Sequence, residues 1–541
     1  MSYLDPMKTI LNLRYATLLL LALLFSTELL SQFEVSHIDE RASGDLILYS
    51  QAFGRTTYLV NQCGDIINQW EHDNRAGYTA RLMDDGNMMR AEYVDFGCCD
   101  QTSRGGRLQI LDWDQNVLWD YLVAKETETH HHDYIIMPSG NIMHLGWEVL
   151  DRAAMDELGI QPGPNELWAE FVREVRPIGR DSYELIWEWN LKHHLIQDRD
   201  SDQANYRPSI EDHLGKVDPH KMNTPREGKW HVNALEYDPV RDVVMINSRD
   251  NREFWILDHS TTIEEATGDE GGRAGKGGQI LFRWGNPSAY GRGDVGDIQM
   301  FGSHGLTIIP EGQRFENYIL FFNNDQISPT QQRFSTVELI KPLLDADGNY
   351  VLDADSTYML EDHIIVYGED QDTQPLFSPF MSNAEQLETG YLINEGSRGR
   401  IFEINEDKEV VWEMRSTFFS DDVFRAYSYP LDFIGFEGRD LSPISTEFHA
   451  DGFELCDTPS STDDPISALR LYPNPASQHI DVHVDQAATL ELKSADQQRL
   501  ARYDLHVGVN RVTLNGLAPG LYFATIRNGR ASTTQKLIIL E

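Results

Sequence analysis

Residues 132–143 read His132-Asp-Tyr-Ile-Ile-Met-Pro-Ser-Gly140-Asn-Ile-Met143 and contain the pattern that decides the fold. A polar residue is followed by a short apolar strand, a turn that contains a glycine, and a second strand. Three other stretches keep the spacing of eight positions between the polar residue and the glycine: Tyr78 with Gly86, His304 with Gly312, and Ser382 with Gly390. The chain therefore contains repeated hairpin units.

A second pattern recurs in the same region, a strand in which a tryptophan follows apolar or β-branched residues. It is found at residues 66–70, 117–119, 185–189, 280–284 and 410–412. A fifth hairpin unit begins at His231 and has a longer turn, and a sixth is expected near Arg425. Strand-rich units at this spacing are typical of a β-propeller, in which the innermost strands surround a central channel. We therefore predict an all-β protein, with a six-bladed β-propeller over residues 32–455.

The N-terminus has the order of a secretory signal peptide. Arg14 precedes an apolar run at residues 15–25, and small and polar residues follow up to Ser31. The run is too short to span a bilayer comfortably, so residues 1–31 are predicted to be a signal peptide, the alternative being a buried helix. No other long apolar segment is present in the sequence, and no transmembrane helix is expected.

The C-terminus forms a separate module. A polar linker at residues 456–465 precedes residues 466–541, where short alternating strands separated by Gly and Asn predict a small β-sandwich. The residues Leu471-Tyr-Pro-Asn-Pro-Ala476, the stretch 516–522 and the stretch 536–539 resemble the C-terminal sorting domain of the type IX secretion system. The resemblance implies a secreted or cell-surface protein of a Bacteroidetes-like bacterium, with the secretion machinery as a partner. The alternative is an accessory domain that binds carbohydrate.

The composition excludes several classes of protein. The 541 residues include 45 Lys and Arg against 87 Asp and Glu, and the formal net charge of −42 argues against nucleic-acid binding, because phosphate backbones would repel the chain. With 40% hydrophobic residues the chain is not disordered, and with four cysteines it is not a disulfide scaffold. Cys63 can pair with Cys98 or Cys99, and the sequence leaves this choice open.

The repeat places several polar residues in equivalent positions. If this position starts the innermost strand, then Tyr78, His132, His231, His304 and Ser382 surround the mouth of the channel. Three histidines can bind zinc or copper. However, Arg249 ends the unit that His231 begins, and a guanidinium beside the site favours an oxyanion over a metal cation. A neutral histidine with positive neighbours suits attack on a sulfuryl or phosphoryl group, and no metal or cofactor is expected.

Several stretches resemble the bacterial arylsulfate sulfotransferases. They are Trp230-His-Val-Asn-Ala-Leu-Glu-Tyr-Asp-Pro239 with Ile246-Asn-Ser-Arg249, His131-His-Asp133, Gly302-Ser-His-Gly305 and Arg425-Ala-Tyr427. The resemblance covers nearly all of residues 45–435. It implies a six-bladed propeller that moves a sulfuryl group from a phenolic sulfate ester to a phenol acceptor. The implied reaction is ping-pong, passes through a sulfohistidine and needs no nucleotide.

The same resemblance implies roles for individual residues. His304 is the expected nucleophile, His132 the general acid and base, and His231, Asn233 and Arg249 the residues that hold the sulfuryl oxygens. Ser382 is a weaker candidate for substrate binding.

The sequence leaves the roles of four further residues open. Ser378 is an alternative to Ser382. His131 competes with His132, although the eight-residue spacing favours His132. Tyr427 and Phe433 are expected either to line the phenol-binding mouth or to be buried in the last blade.

Two other functions are compatible with the fold. The first is a non-catalytic surface propeller that binds a ligand or a partner. The second is a metal-dependent hydrolase that uses the three histidines.

Overall fold

The computed structural model describes residues 33–99, 103–160, 164–221, 227–328, 331–369, 374–416, 422–450, 452–457, 471–472, 479–484, 488–494, 499–514, 516–528 and 531–539. The predicted signal peptide at residues 1–31 lies outside the described residues, and so do residues 458–465 of the predicted linker. Among the described helices, none is long and apolar enough to cross a membrane.

The first 25 strands of the described chain lie between residues 33 and 429. They are β1 (Phe33–Ile38), β2 (Leu46–Gln51), β3 (Thr56–Val60), β4 (Ile66–Glu71), β5 (Ala76–Leu82), β6 (Met88–Tyr93), β7 (Gly106–Leu111), β8 (Val117–Leu122), β9 (Glu128–Ile136), β10 (Ile142–Leu150), β11 (Leu167–Ile178), β12 (Ser182–Asn190), β13 (Val232–Asp238), β14 (Val243–Ser248), β15 (Glu253–Asp258), β16 (Ile280–Trp284), β17 (His304–Ile308), β18 (Ile319–Ile327), β19 (Arg333–Pro342), β20 (Leu360–Tyr367), β21 (Asn383–Gln386), β22 (Gly390–Glu395), β23 (Arg400–Asn405), β24 (Val410–Ser416) and β25 (Val423–Tyr429). A short helix α1 (Arg152–Glu157) follows β10, and α2 (Glu454–Asp457) ends this region.

Within the described residues, these strands form six antiparallel sheets. Four sheets are β5 to β8, β9 to β12, β13 to β16 and β17 to β20; the fifth is β21 to β24 with β1 on its outer edge, and the sixth is β25 with β2, β3 and β4. The inner strands β5, β9, β13, β17, β21 and β25 each contact the next, and β25 contacts β5. The sheets are therefore arranged in a closed ring, and the prediction of an all-β propeller is confirmed.

The repeated tryptophans lie on outer strands and connect neighbouring sheets. Trp70, Trp119, Trp189 and Trp412 are buried. Each donates its indole N–H to a backbone carbonyl oxygen of the next sheet, at 2.7–3.1 Å: Asp112, Ser182, Gly278 and Gln62 respectively. The tryptophan pattern in the sequence thus reflects one contact made repeatedly around the ring.

One disulfide closes the ring region. It joins Cys63, in the turn between β3 and β4, to Cys456 in α2, across 393 residues of sequence. Cys98 and Cys99 are free thiols. The pairing of Cys63 with Cys98 or Cys99, which the sequence left open, is therefore wrong, because the partner comes from the distant end of the domain.

The C-terminal residues form two further sheets. The strands are β26 (Leu471–Tyr472), β27 (His479–Val484), β28 (Ala488–Ser494), β29 (Arg499–Leu505), β30 (Gly508–Thr513), β31 (Gly520–Asn528) and β32 (Ala531–Ile539). One sheet has the order β26-β27-β30 and the other β29-β28-β31-β32. Ile480 and Val482 from the first sheet share one hydrophobic core with Leu490, Leu492 and Ile526 from the second. Two antiparallel sheets around one core are a β-sandwich, as predicted.

We predict that Cys63→Ser and Cys456→Ser each lower the free energy of unfolding of the propeller by about 2–4 kcal/mol, because each opens the same long loop. The double variant should be no less stable than either single variant. Denaturant unfolding of the purified proteins measures this, with Cys98→Ser as the control that removes a free thiol. Additive losses in the double variant would contradict a Cys63–Cys456 bond.

Candidate active site

Three of the predicted histidines converge at one end of the inner strands. His132 lies on β9, His231 directly precedes β13, and His304 begins β17. The ring centroid of His132 is 4.8 Å from that of His231, and the ring of Phe424 lies 5.9 Å from His132 and 6.4 Å from His304. His132 and His304 are buried, whereas His231 is half-buried, so the cluster reaches solvent on the His231 side.

The backbone is strained where the polar residues of the repeat stand. Tyr78, His132, His231 and Ser382 have φ angles of 85°, 52°, 48° and 89°. Side chains other than glycine rarely adopt this left-handed region, and each such residue costs about 1–3 kcal/mol. Bulges interrupt the pairing next to them, for example between Val232 and Ala234. Bulges of this kind redirect side chains at functional sites, which agrees with a repeated position that serves the channel.

The hydrogen bonds of His304 define its reactive nitrogen. His304 Nδ1 lies 2.8 Å from Asn324 Oδ1. The amide of Asn324 is oriented by its Nδ2, which donates to the carbonyl oxygens of Ser378 and Met381 at 2.7 and 2.8 Å. Because the Oδ1 of Asn324 can only accept, the hydrogen of His304 is on Nδ1. Nε2 of His304 then carries the lone pair.

Burial and positive neighbours keep His132 and His304 neutral. The pKa of His304 is held well below its ordinary value, first by burial and then by the charges of Arg249 and Arg425. The pKa of His132 is also held well below its ordinary value, by burial and then by His231 and His131. A neutral imidazole is the form that acts as a nucleophile or a base.

Arg249 and Asn233 lie on the His304 side of the cluster. The half-buried Arg249 donates from Nη1 to Asp250 Oδ1 at 2.8 Å, and its guanidinium lies beside Gly302, where an added Cβ would be 3.8 Å from it. The amide of Asn233 donates to Ser303 O at 2.9 Å, which holds the backbone just before the nucleophile candidate. Arg249 thus supplies a cation, and Asn233 also positions the chain.

Arg425 is a site residue to which the sequence analysis gave no role. It is buried on β25, donates from Nη1 to Ser382 O at 2.7 Å and from Nη2 to Asn233 O at 3.1 Å, and lies 3.6 Å from Asp133 Oδ2. Its charge acts on both His132 and His304. The resemblance already included Arg425, but only the closed ring shows that it stands inside the channel.

His131 and Ser382 are placed differently from His132. The ring of His131 is fully buried and stacks on Trp147, with centroids 3.8 Å apart, so it stands behind His132. The hydroxyl of Ser382 accepts from Gly396 N and donates to Ser378 Oγ, both at 2.9 Å. The hydroxyl groups of Ser382 and Ser378 are therefore engaged with each other and with their own sheet.

Tyr427 lies at the opposite end of the inner strands from His304. It lines a cavity of about 630 Å³ together with Arg81, Glu236 and Glu385. The guanidinium of Arg81 stands 4.5 Å over the buried ring of Tyr427. The structure therefore places Tyr427 away from the histidine cluster and buries it in the sheet of β25, which was one of its two expected locations.

Among the residues that the structure describes, no group of three or more His, Cys, Asp or Glu side chains is arranged to hold a metal ion. The histidines of the cluster lie near Arg249 and Arg425, and the carboxylates of Asp250 and Asp133 are paired with these two arginines. This arrangement of side chains suits an anion.

Comparison with known proteins assigns the chain to a family. Residues 33–423 match the family described as "Arylsulfotransferase (ASST)". The chain belongs to the arylsulfotransferase family. This membership supports a sulfotransferase function for the domain that carries His304. Residues 470–540 match the "Secretion system C-terminal sorting domain", so the chain carries a type IX sorting domain, which points to secretion or cell-surface export.

Several solved structures are similar to this chain at low sequence identity. A putative 6-phosphogluconolactonase from Bacteroides fragilis has 9% identity, covers 72% of this chain and 99% of its own, and has a TM-score of 0.31. The periplasmic gluconolactonase PpgL from Pseudomonas aeruginosa has 9% identity, covers 71% of this chain and 98% of its own, and has a TM-score of 0.31. A protein from Lactobacillus plantarum has 8% identity, coverages of 71% and 99%, and a TM-score of 0.33. No curated protein matches the arylsulfotransferase chain.

The carboxyl group of Glu236 at the Tyr427 end makes the stability of the protein depend on pH. Burial raises the pKa of Glu236 from 4.5 to about 7, although Arg81 partly opposes the shift. Between pH 4.5 and 7 the folded protein therefore holds a proton that the unfolded chain has lost, and stability falls as the pH rises. We predict that Glu236→Gln gains about 1–2 kcal/mol of unfolding free energy relative to wild type between pH 5 and pH 8.

Denaturant unfolding at the two pH values measures this difference. Glu126→Gln, which alters an exposed carboxyl group, is the matched control and should show no such gain. A Glu236→Gln variant that follows wild type at both pH values would contradict the raised pKa of Glu236.

Proposed function

We propose that the protein transfers a sulfuryl group from a phenolic sulfate ester to a phenol acceptor, through a sulfohistidine on His304. The observation that carries this proposal is the hydrogen bond from His304 Nδ1 to Asn324, which leaves the Nε2 lone pair available among positive groups. Membership of the arylsulfotransferase family supports the reaction class.

In the first half-reaction the Nε2 lone pair of His304 attacks the sulfur atom. The N–S bond forms as the S–O bond to the donor phenol breaks, and the electron pair leaves on the phenolic oxygen. Arg249 and His231 face the sulfuryl oxygens and stabilise their charge, while Asn233 holds the chain before His304. The donor brings negative charge into the pocket, which favours the protonated form of His132. His132 then gives its proton to the departing phenolate.

In the second half-reaction the acceptor phenol attacks the sulfur of the sulfohistidine. Its hydroxyl proton passes to the neutral His132, the new S–O bond forms, and the N–S electron pair returns to His304 Nε2. Throughout both steps the Nδ1–H of His304 stays hydrogen-bonded to Asn324, which keeps the ring in the tautomer that can react.

Export is the second part of the proposed function. The sorting domain at residues 470–540 points to secretion, and we propose that residues 1–31 are a cleaved signal peptide and that residues 466–541 act as the separate sorting module. The Cys63–Cys456 disulfide is consistent with an oxidising destination.

We predict that brief exposure of the wild type to p-nitrophenyl sulfate adds the mass of one sulfuryl group and releases one equivalent of nitrophenol. His304→Ala should form no adduct, because it lacks the attacking nitrogen. Native mass spectrometry at neutral pH measures the adduct. The matched control is His37→Ala, whose side chain is 46% exposed on β1 and lies outside the cluster.

The control should form the adduct at the wild-type rate. An adduct that persists in His304→Ala would assign the nucleophile elsewhere. A wild type that forms no adduct with any of a panel of aryl sulfates would instead indicate a propeller that only binds its ligand.

A further inference from the structure

The buried groups behind His132 form a chain that ends on a carboxylate. We propose that Glu170 and His131 are positioning residues that act through His132: they set which of its nitrogens carries hydrogen, and they stabilise its imidazolium form during sulfuryl transfer. The inference rests on the proposed function and places His131 behind the reacting atoms, whereas the sequence had offered it as an alternative to His132.

Glu170 is fixed by donors from two directions. It lies on β11 and is 1% exposed. Its Oε1 accepts from Trp147 Nε1 at 3.1 Å and from the backbone N of Val232 at 3.0 Å. Its Oε2 lies 3.0 Å from His131 Nε2, within ion-pair distance, although the alignment of the two atoms falls short of a hydrogen bond. A carboxylate in so dry a place needs a compensating partner, and His131 is the one it faces.

His131 connects this carboxylate to His132. The two Nδ1 atoms lie 2.8 Å apart, so one nitrogen donates and the other accepts. A hydrogen on His131 Nε2 is favoured because that atom faces the Glu170 carboxylate. His131 Nδ1 then accepts, His132 Nδ1 donates, and His132 Nε2 carries the lone pair. His132 thereby adopts the same tautomer as His304, with Nδ1 held by the protein and Nε2 available for chemistry.

The other groups around His132 do not balance a positive charge on it. Those that act on it from neighbouring strands are neutral or positive: Tyr78, His231, His304 and Arg425. Asp133, the next residue on β9, already accepts from Leu235 N at 3.3 Å and pairs with Arg425. The backbone of Arg104 pairs with that of His131, and its guanidinium is directed to Cys98 O, Tyr93 Oη and Asp95. When His132 takes the acceptor's proton, Glu170 is the buried anion that lies beyond it through His131.

The test separates the two half-reactions in the full-length protein. Glu170→Gln keeps the size of the side chain and an oxygen for the Trp147 and Val232 donors. With p-nitrophenyl sulfate, whose leaving group departs without a proton, adduct formation should stay within about 3-fold of wild type. Discharge of the adduct to a phenol should fall at least about 10-fold, because this step needs His132 as a base.

The pH profile of the discharge step gives a second readout. Its rate falls at low pH as His132 becomes protonated. Removing the anion of Glu170 makes protonation of His132 less favourable, so the acidic limb should move to lower pH in Glu170→Gln. A purely structural role for Glu170 would lower the rate without moving this limb.

A second variant covers the case in which Glu170→Gln fails to fold. His131→Phe keeps the ring that stacks on Trp147 and removes both nitrogens, and it should show the same selective loss of discharge. Wild-type rates in both half-reactions, or equal losses in both, would overturn the inference. The proposed function would still hold in that case if the wild type forms a sulfuryl adduct. A wild type without an adduct overturns both.

Discussion

The pairing of β25 with β2 holds the whole arrangement together. Leu48 on β2 pairs with Tyr427 on β25, which joins the two ends of the propeller within one sheet. Without this pairing, β25 would leave the ring and remove Arg425 from the channel. The bond from the Trp412 indole to Gln62 and the Cys63–Cys456 disulfide also join the two ends, because they connect residues 350 and 393 positions apart. The histidine cluster is therefore a product of ring closure, since its members lie on separate sheets.

The two ends of the inner strands carry different sets of charged groups. The end with His304 holds Arg249 and Arg425, whereas the end with Tyr427 holds Arg81 together with the carboxyl groups of Glu236 and Glu385. Burial raises the pKa of Glu385 to about 7, as it does for Glu236. A chain with a net charge of −42 thus places two arginines where the proposed sulfate ester would bind. Net charge is a property of the entire surface and does not describe the pocket.

The repeat made much of this predictable from the sequence. The eight-residue spacing selected His132 and His304, and the structure brings these two together with His231 at one end of the ring. The tryptophan strands also predicted the blades, because four of the five strands place an indole that bonds to a backbone carbonyl of the neighbouring sheet.

Other features depend on contacts that the sequence does not show. Asn324 fixes the tautomer of His304 from the neighbouring strand, and Glu170 approaches His131 from another, so neither has a motif of its own. Tyr427 is two residues from Arg425, yet it lies at the other end of the channel because β25 runs between the two mouths. The partner of Cys63 is 393 residues away, beyond the range of any spacing rule.

The central claim is that His304 Nε2 is the atom that accepts the sulfuryl group. A crystal structure of the protein trapped with p-nitrophenyl sulfate tests it most directly. The account predicts density for a sulfuryl group bonded to His304 Nε2, with its oxygens facing Arg249 and His231 and with Nδ1 still bonded to Asn324. Density for an intact sulfate ester bound elsewhere, for example beside Arg81 at the Tyr427 end, would contradict it.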